Sequence, residues 1–441
     1  MGCGHLYVAE AGMESAFTID SSRVTFGPGS LREVGPRSAA LTNGKRVAVF
    51  TDGRLRALPW FDDVEKSLRA AGLLPEVFDD VAIEPTDASI ERAIDFARDL
   101  KPDVFVSLGG GSVMDTAKLA NLMTTHPAQL MDYVNAPLGG GKPVPGPLAP
   151  HIACPTTSGT GSEVTGIAIF DILELHAKSG VASPRLRPTE ALVDPRCTAT
   201  LPAAVVAASG LDVLCHAVES LTARRYVTRQ PPEPVTTRPM SQGANPWSDV
   251  GSREAIALIG RYLERAVADA DDAEAREHLM WAATLAGIAF GNAGVHVPHA
   301  MAYAVAGRVR EYVPEGYPAP ADLPGLVPHG FAVAVNAPAA FRYLASTDPV
   351  RHAEAALLLD PTVGEVGHAE AGDALAGAMS DLMRRVGAPN GVAGVGYGPE
   401  DIDGLVGGAA PQRRLLDNAP AAIHETELKV LFGSAMTCWG P

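Results

Sequence analysis

From Arg46 to about Pro195, short runs rich in β-branched and aromatic residues alternate with stretches of helical period, and this alternation is what most restricts the fold. Parallel strands need long crossovers, and helices supply them. The strand runs are 47–50, 76–81, 104–108, 151–154, 166–170 and 191–193, with Asp87 as the N-cap of a helix over 88–100 and a further helix opening at Ser112. Beyond Pro195 the strand pattern stops. Helical periods follow at 203–222, 249–268, 273–290, 331–345, 350–359, 369–386, 399–408 and 425–436. A chain of 441 residues is too long for one ordinary core. The expectation is an α/β domain over 1–195 and an all-α domain over 196–441, with Pro/Gly-rich surface loops at about 136–150 and 226–246.

The first helix of the second half contains Gly210-Leu211-Asp212-Val213-Leu214-Cys215-His216-Ala217-Val218-Glu219-Ser220. Asp212 and His216 stand four residues apart, so on a helix they lie one above the other, and a carboxylate oxygen and an imidazole nitrogen can converge. Alone, such a pair is equally an Asp that orients a His, or a solvated face. Two later segments add donors: His296 and His299 in a small, apolar, glycine-rich run, and His329 after Pro328 at a turn. One Asp with three His is a borderline donor set suited to Fe(II) or Zn(II), with room for a substrate oxygen.

In the first half, Gly109, Gly110 and Gly111 follow the run 104–108 and precede the helix opening at Ser112. Glycines let backbone approach a ligand closely, and a helix start aims free N–H groups and positive charge at it, so a pyrophosphate fits. A tight turn that binds nothing would look the same, and this is not the GxGxxG fingerprint. Asp52 follows the run 47–50, where a carboxylate would accept from a ribose 2′-OH and repel a 2′-phosphate, favouring NAD over NADP.

Gly109-Gly110-Gly111-Ser112-Val113-Met114-Asp115-Thr116-Ala117-Lys118, Pro155-Thr156-Thr157-Ser158-Gly159-Thr160-Gly161-Ser162-Glu163, the Asp212/His216 helix and the two later His segments together resemble the iron-containing alcohol dehydrogenase family. Within it the chain is most similar to the hydroxyacid-oxoacid transhydrogenase subgroup, on its Gly-Asn-Ala-Gly-Val-His segment and its long insert. The resemblance implies a Rossmann-like dinucleotide-binding domain followed by a helical metal-binding domain, the architecture also found in dehydroquinate synthase. It implies Asp212, His216, His299 and His329 as metal ligands. It places the NAD pyrophosphate at Gly109, Gly110, Gly111 and Ser112 with Asp115 in the same helix, Thr156, Thr157 and Thr160 beside the cofactor, Asp52 at the ribose, and Lys178 near the nicotinamide ribose. Many members carry a second His one turn after the third ligand; here that position is Tyr303, and His296 is an alternative proton relay.

The activity so implied is metal-dependent hydride transfer through NAD between a short hydroxyacid and an oxoacid, 4-hydroxybutyrate and 2-oxoglutarate giving succinic semialdehyde and 2-hydroxyglutarate. The alternatives are a conventional iron-containing alcohol dehydrogenase or maleylacetate-reductase-like enzyme that releases NADH each turnover, and, more distantly, a dehydroquinate-synthase-like lyase. Acidic residues outnumber basic ones 51 to 35, a net charge of −16, which argues against nucleic acid or anionic membrane as partner. The expected partners are a small-molecule substrate and further copies of the chain, as a homodimer or higher homo-oligomer. The segment from Arg224 to Arg253 runs against the overall charge, with five arginines (224, 225, 229, 238 and 253) against Glu233 and Asp249. A solvated loop is one reading; a carboxylate clamp is the other, with Arg238, stiffened by Pro239, as its anchor. The five cysteines (3, 154, 197, 215 and 438) have no zinc-finger or CxxC spacing and suit reduced thiols. The first 22 residues hold no Lys or Arg, which lacks the pattern of a secretory or organellar leader and gives a cytoplasmic expectation.

Overall fold

The computed structural model describes residues 7–175, 177–319 and 324–440; Cys3 and His176 lie outside them. The chain forms two compact units, one over Ser21–Thr200 and one over 201–440 joined by residues 7–20. The N-terminal segment thus belongs with the helices, not with the α/β domain into which the 1–195 expectation placed it.

In the α/β unit, strands β1 (Arg23–Phe26), β2 (Arg46–Phe50), β3 (Leu74–Phe78), β4 (Val104–Gly109), β5 (His151–Pro155) and β8 (Glu190–Val193) form one sheet in the order β1-β8-β5-β4-β2-β3. Every pairing in it is parallel. Helices α1 (Val34–Leu41), α2 (Pro59–Ala70), α3 (Asp87–Leu100), α4 (Gly111–Thr125) and the single turn α5 (Leu130–Tyr133) connect them. Both faces of the sheet are covered: Val47, Val49, Val104, Val106 and Ile152 pack with Phe61, Val64 and Leu68 of α2 on one side, while Ala48, Phe50 and Phe105 pack with Ala93, Ala97, Val113 and Ala117 of α3 and α4 on the other. That two-sided burial explains the continuous apolar runs in the central strands.

The differences from expectation fall at edges and caps. β3 begins two residues earlier than expected and carries Pro75, tolerable because β3 is an edge strand. β1, the other edge, was too short and polar to register. The run at 166–170 is β6 (Ile167–Ile172), which pairs antiparallel with β7 (Ala177–Ala182) in a separate hairpin. The cap of α3 is Thr86, whose side chain accepts from Ser89 N while Ser89 answers its backbone N–H; Asp87 is the first helical residue.

The helical unit holds α6 (Ala203–Thr222), α7 (Pro246–Ala268), α8 (Ala273–Ala293), α9 (Val297–Gly307), α10 (His329–Ala334), α11 (Ala337–Leu344), α12 (Pro349–Leu359), α13 (Ala371–Arg385), α14 (Ile402–Ala409), α15 (Arg413–Leu416) and α16 (Glu425–Ser434). The expected helix over 331–345 is broken into α10 and α11, with Pro338 in the first turn of α11 where its missing N–H is harmless. By length and composition α6 could cross a membrane, but 83% of its apolar window is buried inside the protein, and it carries Asp212, His216 and Glu219. It is the central helix of a protein core. Residues 7–20 run along this unit as a strap: Glu14 N donates to Arg229 O, Thr18 exchanges two hydrogen bonds with the Gln242 side chain, and Asp20 does the same with Asn292.

Candidate metal centre and cofactor turn

The apolar periodicity of α6 buries it on all sides, so the polar groups at 212, 216 and 219 must find partners inside the protein. Three imidazole Nε2 atoms converge on Asp212 Oδ1: His216 at 3.7 Å, His299 at 3.6 Å and His329 at 3.8 Å. The donor atoms of Asp212, His299 and His329 all lie within 4.8 Å of one another. These separations are too long for hydrogen bonds. They are close to the ~3.3–3.6 Å between donors on a tetrahedral ion with bonds of about 2.0–2.2 Å. Asp212 Oδ1 and His299 Nε2 are buried with no hydrogen-bond partner among the described residues. A cation between the donors would satisfy both atoms, so the site fits a divalent metal.

Each donor is placed by packing. His299 sits in the first turn of α9 and His329 opens α10, which crosses α6 so closely that a Cβ on Gly330 would lie 1.9 Å from Ala208 O. Only glycine permits that approach beside His329. His216 is stacked between Phe290, 4.1 Å away, and His299, 4.7 Å away. Burial pushes His216 down to about 4 against the pull of Asp212, which leaves a neutral imidazole. His299 moves the other way: burial pulls it down, but the carboxylates of Glu219 and Asp212 together overcome burial and lift it to about 9. For Asp212, burial is overcome by the surrounding imidazoles, first His216 and then His329, and its carboxyl is held well below the usual range. His329 is the exposed member, its side chain 30% accessible, and Tyr303 stands beside it with ring centroids 6.5 Å apart. That side is where a substrate oxygen could enter.

His296 is not on that side. It is fully buried, and because Thr222 Oγ donates to Val218 O, the 3.1 Å contact between Thr222 Oγ and His296 Nε2 needs the proton on His296. Its Nδ1 has no hydrogen-bond partner among the described residues and lies 4.0 Å from Glu219. Its ring thus faces Thr222 and Glu219, not Asp212, and no relay role is assigned to it. Arg238 also departs from expectation. Its Nε and Nη2 hold the Glu14 carboxylate at 3.2–3.3 Å, so the guanidinium already has a carboxylate of its own. The other four insert arginines are likewise engaged within the helical unit: Arg224 with Thr228, Arg225 with Asp348, Arg229 with Asn418 and Arg253 with Glu354. The basic excess fastens the insert down. Glu219, which the sequence reading passed over, is at the centre of the donor cluster's support. Its i+3 spacing from His216 and i+7 from Asp212 was the available signal.

In the α/β unit, chain order reverses between β2 and β4, and the crevice outside the carboxyl ends of two such strands is where ligands bind in open parallel sheets. Asp52 follows β2, and Gly109, Gly110 and Gly111 span the junction where β4 ends and α4 begins. Gly110 is the N-cap of α4 with no side-chain cap. A Cβ on Gly110 would lie 3.3 Å from Thr157 and one on Gly111 2.7 Å from Thr160, while Thr156 N donates to Gly109 O. Thr157 and Thr160 are therefore packed onto the glycine turn, and Ser112 lies in the first turn of α4, a helix start whose free N–H groups are of the kind that bind a pyrophosphate. Asp52 Oδ1 accepts from the N–H groups of Arg54 and Leu55, which fixes its carboxylate at the end of β2. Asp115 instead binds Ser162 Oγ at 2.5 Å and Ile169 N at 2.9 Å, so it shapes the threonine segment from behind. Lys178 Nζ is held by Glu84 at 2.7 Å and Asp171 at 3.1 Å.

Residues 21–195 match the family described as iron-containing alcohol dehydrogenase, and residues 238–314 and 322–436 match the C-terminal region of the Fe-containing alcohol dehydrogenase family. The chain belongs to the iron-containing alcohol dehydrogenase family. It is an oxidoreductase. The mitochondrial hydroxyacid-oxoacid transhydrogenase of Mus musculus is 45% identical over 423 residues, covering 96% of this chain and 90% of the relative. The Homo sapiens protein of the same name is 44% identical over the same shares. Among solved structures, a 1,3-propanediol oxidoreductase superposes with a TM-score of 0.82 at 29% identity, covering 95% of this chain and all of that one. The sulfoacetaldehyde reductase of Bifidobacterium kashiwanohense, solved with NAD+, superposes at 0.76 with 25% identity, covering 96% and 99%. The names of the curated relatives place them in mitochondria, which overturns the cytoplasmic expectation. That expectation rested on the composition of 22 residues, and a compartment is not readable from a fold.

Proposed function

We propose that this protein is a metal-dependent, NAD-linked hydroxyacid-oxoacid transhydrogenase. The observation that carries the chemistry is the convergence of His216, His299 and His329 on Asp212 Oδ1, with buried donor atoms otherwise unsatisfied. The identity to named transhydrogenases over nearly the whole chain supports the reaction type. Asp212, His216, His299 and His329 would hold the ion, which when bound supplies Lewis-acid polarisation of a substrate oxygen. Fe(II) is the resident ion we propose, with Zn(II) compatible with the same donors. Phe290 and the apolar face of α6 exclude water behind the imidazoles, and the side flanked by His329 and Tyr303 admits the substrate. In the α/β unit the Gly109–Gly111 turn takes the pyrophosphate, Thr157 and Thr160 line it, and Asp52 accepts from the ribose and disfavours a 2′-phosphate.

The donor 4-hydroxybutyrate gives a hydride to NAD+ and a proton to the medium and leaves as succinic semialdehyde; 2-oxoglutarate takes the same hydride and a proton and leaves as 2-hydroxyglutarate. Deuterium on the carbinol carbon of 4-hydroxybutyrate should appear in 2-hydroxyglutarate undiluted by excess unlabelled NADH. Label washed into the NADH pool would mark the conventional dehydrogenase instead.

A further inference from the structure

Glu219 is fully buried on α6 and has no role in the ligand set. Its Oε1 lies 2.5 Å from His299 Nδ1, and its Oε2 lies 2.5 Å from the backbone N of His296. An ionised carboxylate only accepts, so the proton of each contact belongs to the nitrogen. Nδ1 of His299 is therefore protonated, and Nε2, the atom aimed at Asp212, is left with its lone pair whenever the ring is neutral. The second contact holds the residue from which α9 starts, three positions before His299. One carboxylate thus sets both the tautomer of the ring and the position of the helix that carries it. His216 offers a contrast, since its Nδ1 is buried without a hydrogen-bond partner among the described residues.

We propose that Glu219 is the positioning residue of the metal centre: through its two short hydrogen bonds to the α9 start it presents His299 Nε2 to the ion and raises that imidazole's strength as a ligand. This rests on the ligand reading of Asp212, His216, His299 and His329. A carboxylate behind a ligating imidazole makes the ring a better donor and restricts its rotation, and its loss weakens metal binding about 10–100-fold. Glu219→Gln keeps the shape of the side chain. Its amide oxygen can still accept from His299, but it loses the charge and turns an N–H toward the N–H of His296.

The test uses full-length protein stripped of metal and titrated with Co(II) against a competing chelator. Wild type should bind one ion per chain, and Asp212→Ala should lose it. Glu219→Gln should keep the one-to-one stoichiometry with a Kd raised about 10–100-fold and with altered visible absorption of the bound Co(II). Glu219→Asp, which keeps the charge but withdraws it by one methylene, should weaken binding as well, and it decides the matter if the glutamine variant does not fold. Loss of thermal stability in Glu219→Gln with wild-type Kd and Co(II) spectrum would reduce Glu219 to a structural group and overturn the proposal. Wild-type binding in Asp212→Ala would overturn the ligand reading itself, a separate result.

Discussion

At the scale of single residues, charge partners decide roles that residue type leaves open. Arg238 has the fork geometry to clamp a substrate carboxylate, yet Glu14 occupies it, and Glu14 is oriented in turn by accepting from Ala16 N. Arg238→Ala and Glu14→Gln should therefore each cost about 1 kcal/mol of stability, the usual scale for a partly exposed pair, and the double variant should cost little more than either alone. Thermal or denaturant unfolding of the four proteins measures this. A KM for hydroxyacid raised more than tenfold in Arg238→Ala, with unfolding unchanged, would return the arginine to the substrate. Asp212 and His216 were legible because i and i+4 on a helix must share a face. The choice of His299 over His296 came only from the family resemblance, since both lie in the same apolar run and it is the fold that turns one toward Asp212 and the other toward Thr222.

At the scale of elements, α4 and α6 were readable because glycine punctuation and apolar period are local properties, and α6 spans the expected 203–222. α9 was not expected at all, although it carries His299. Its eleven residues include Pro298 at the first turn and follow a glycine-rich segment, and both features suggest a loop when tertiary contacts are invisible. The glycine turn allows a direct test of its proposed role before α4. In Gly111→Ala the new methyl would meet Thr160 Cγ2 at 2.7 Å, so either the turn or the threonine must move. We expect NAD affinity to fall about tenfold, or ~1.4 kcal/mol, with metal content unchanged. Isothermal titration with NAD and metal analysis of the same sample check both halves of that statement. Unaltered NAD affinity would remove the pyrophosphate from this turn.

At the scale of the whole molecule, the two units should answer different ligands. Binding to the native state stabilises by about 2.7 kcal/mol at a hundredfold excess over Kd. NAD should therefore slow hydrogen exchange within residues 21–200, and a divalent metal should slow it within 201–440 around α6, α9 and α10. Peptide-resolved exchange on stripped protein, with each ligand added singly, reads this out. Metal protection concentrated in the α/β unit would contradict the assigned donors.

The sequence by itself determined the alternation that becomes a parallel sheet, the glycine turn after β4, the helical second half, and the Asp212/His216 pair, because each depends on residues within a turn or strand of one another. Tertiary structure decided the partners. Glu219 meets His299 across 80 residues, and Glu14 meets Arg238 across 224. No local propensity encodes such pairings. They arise when buried polar groups, brought into apolar surroundings by the packing of whole helices, take the nearest group that offsets the cost of leaving water.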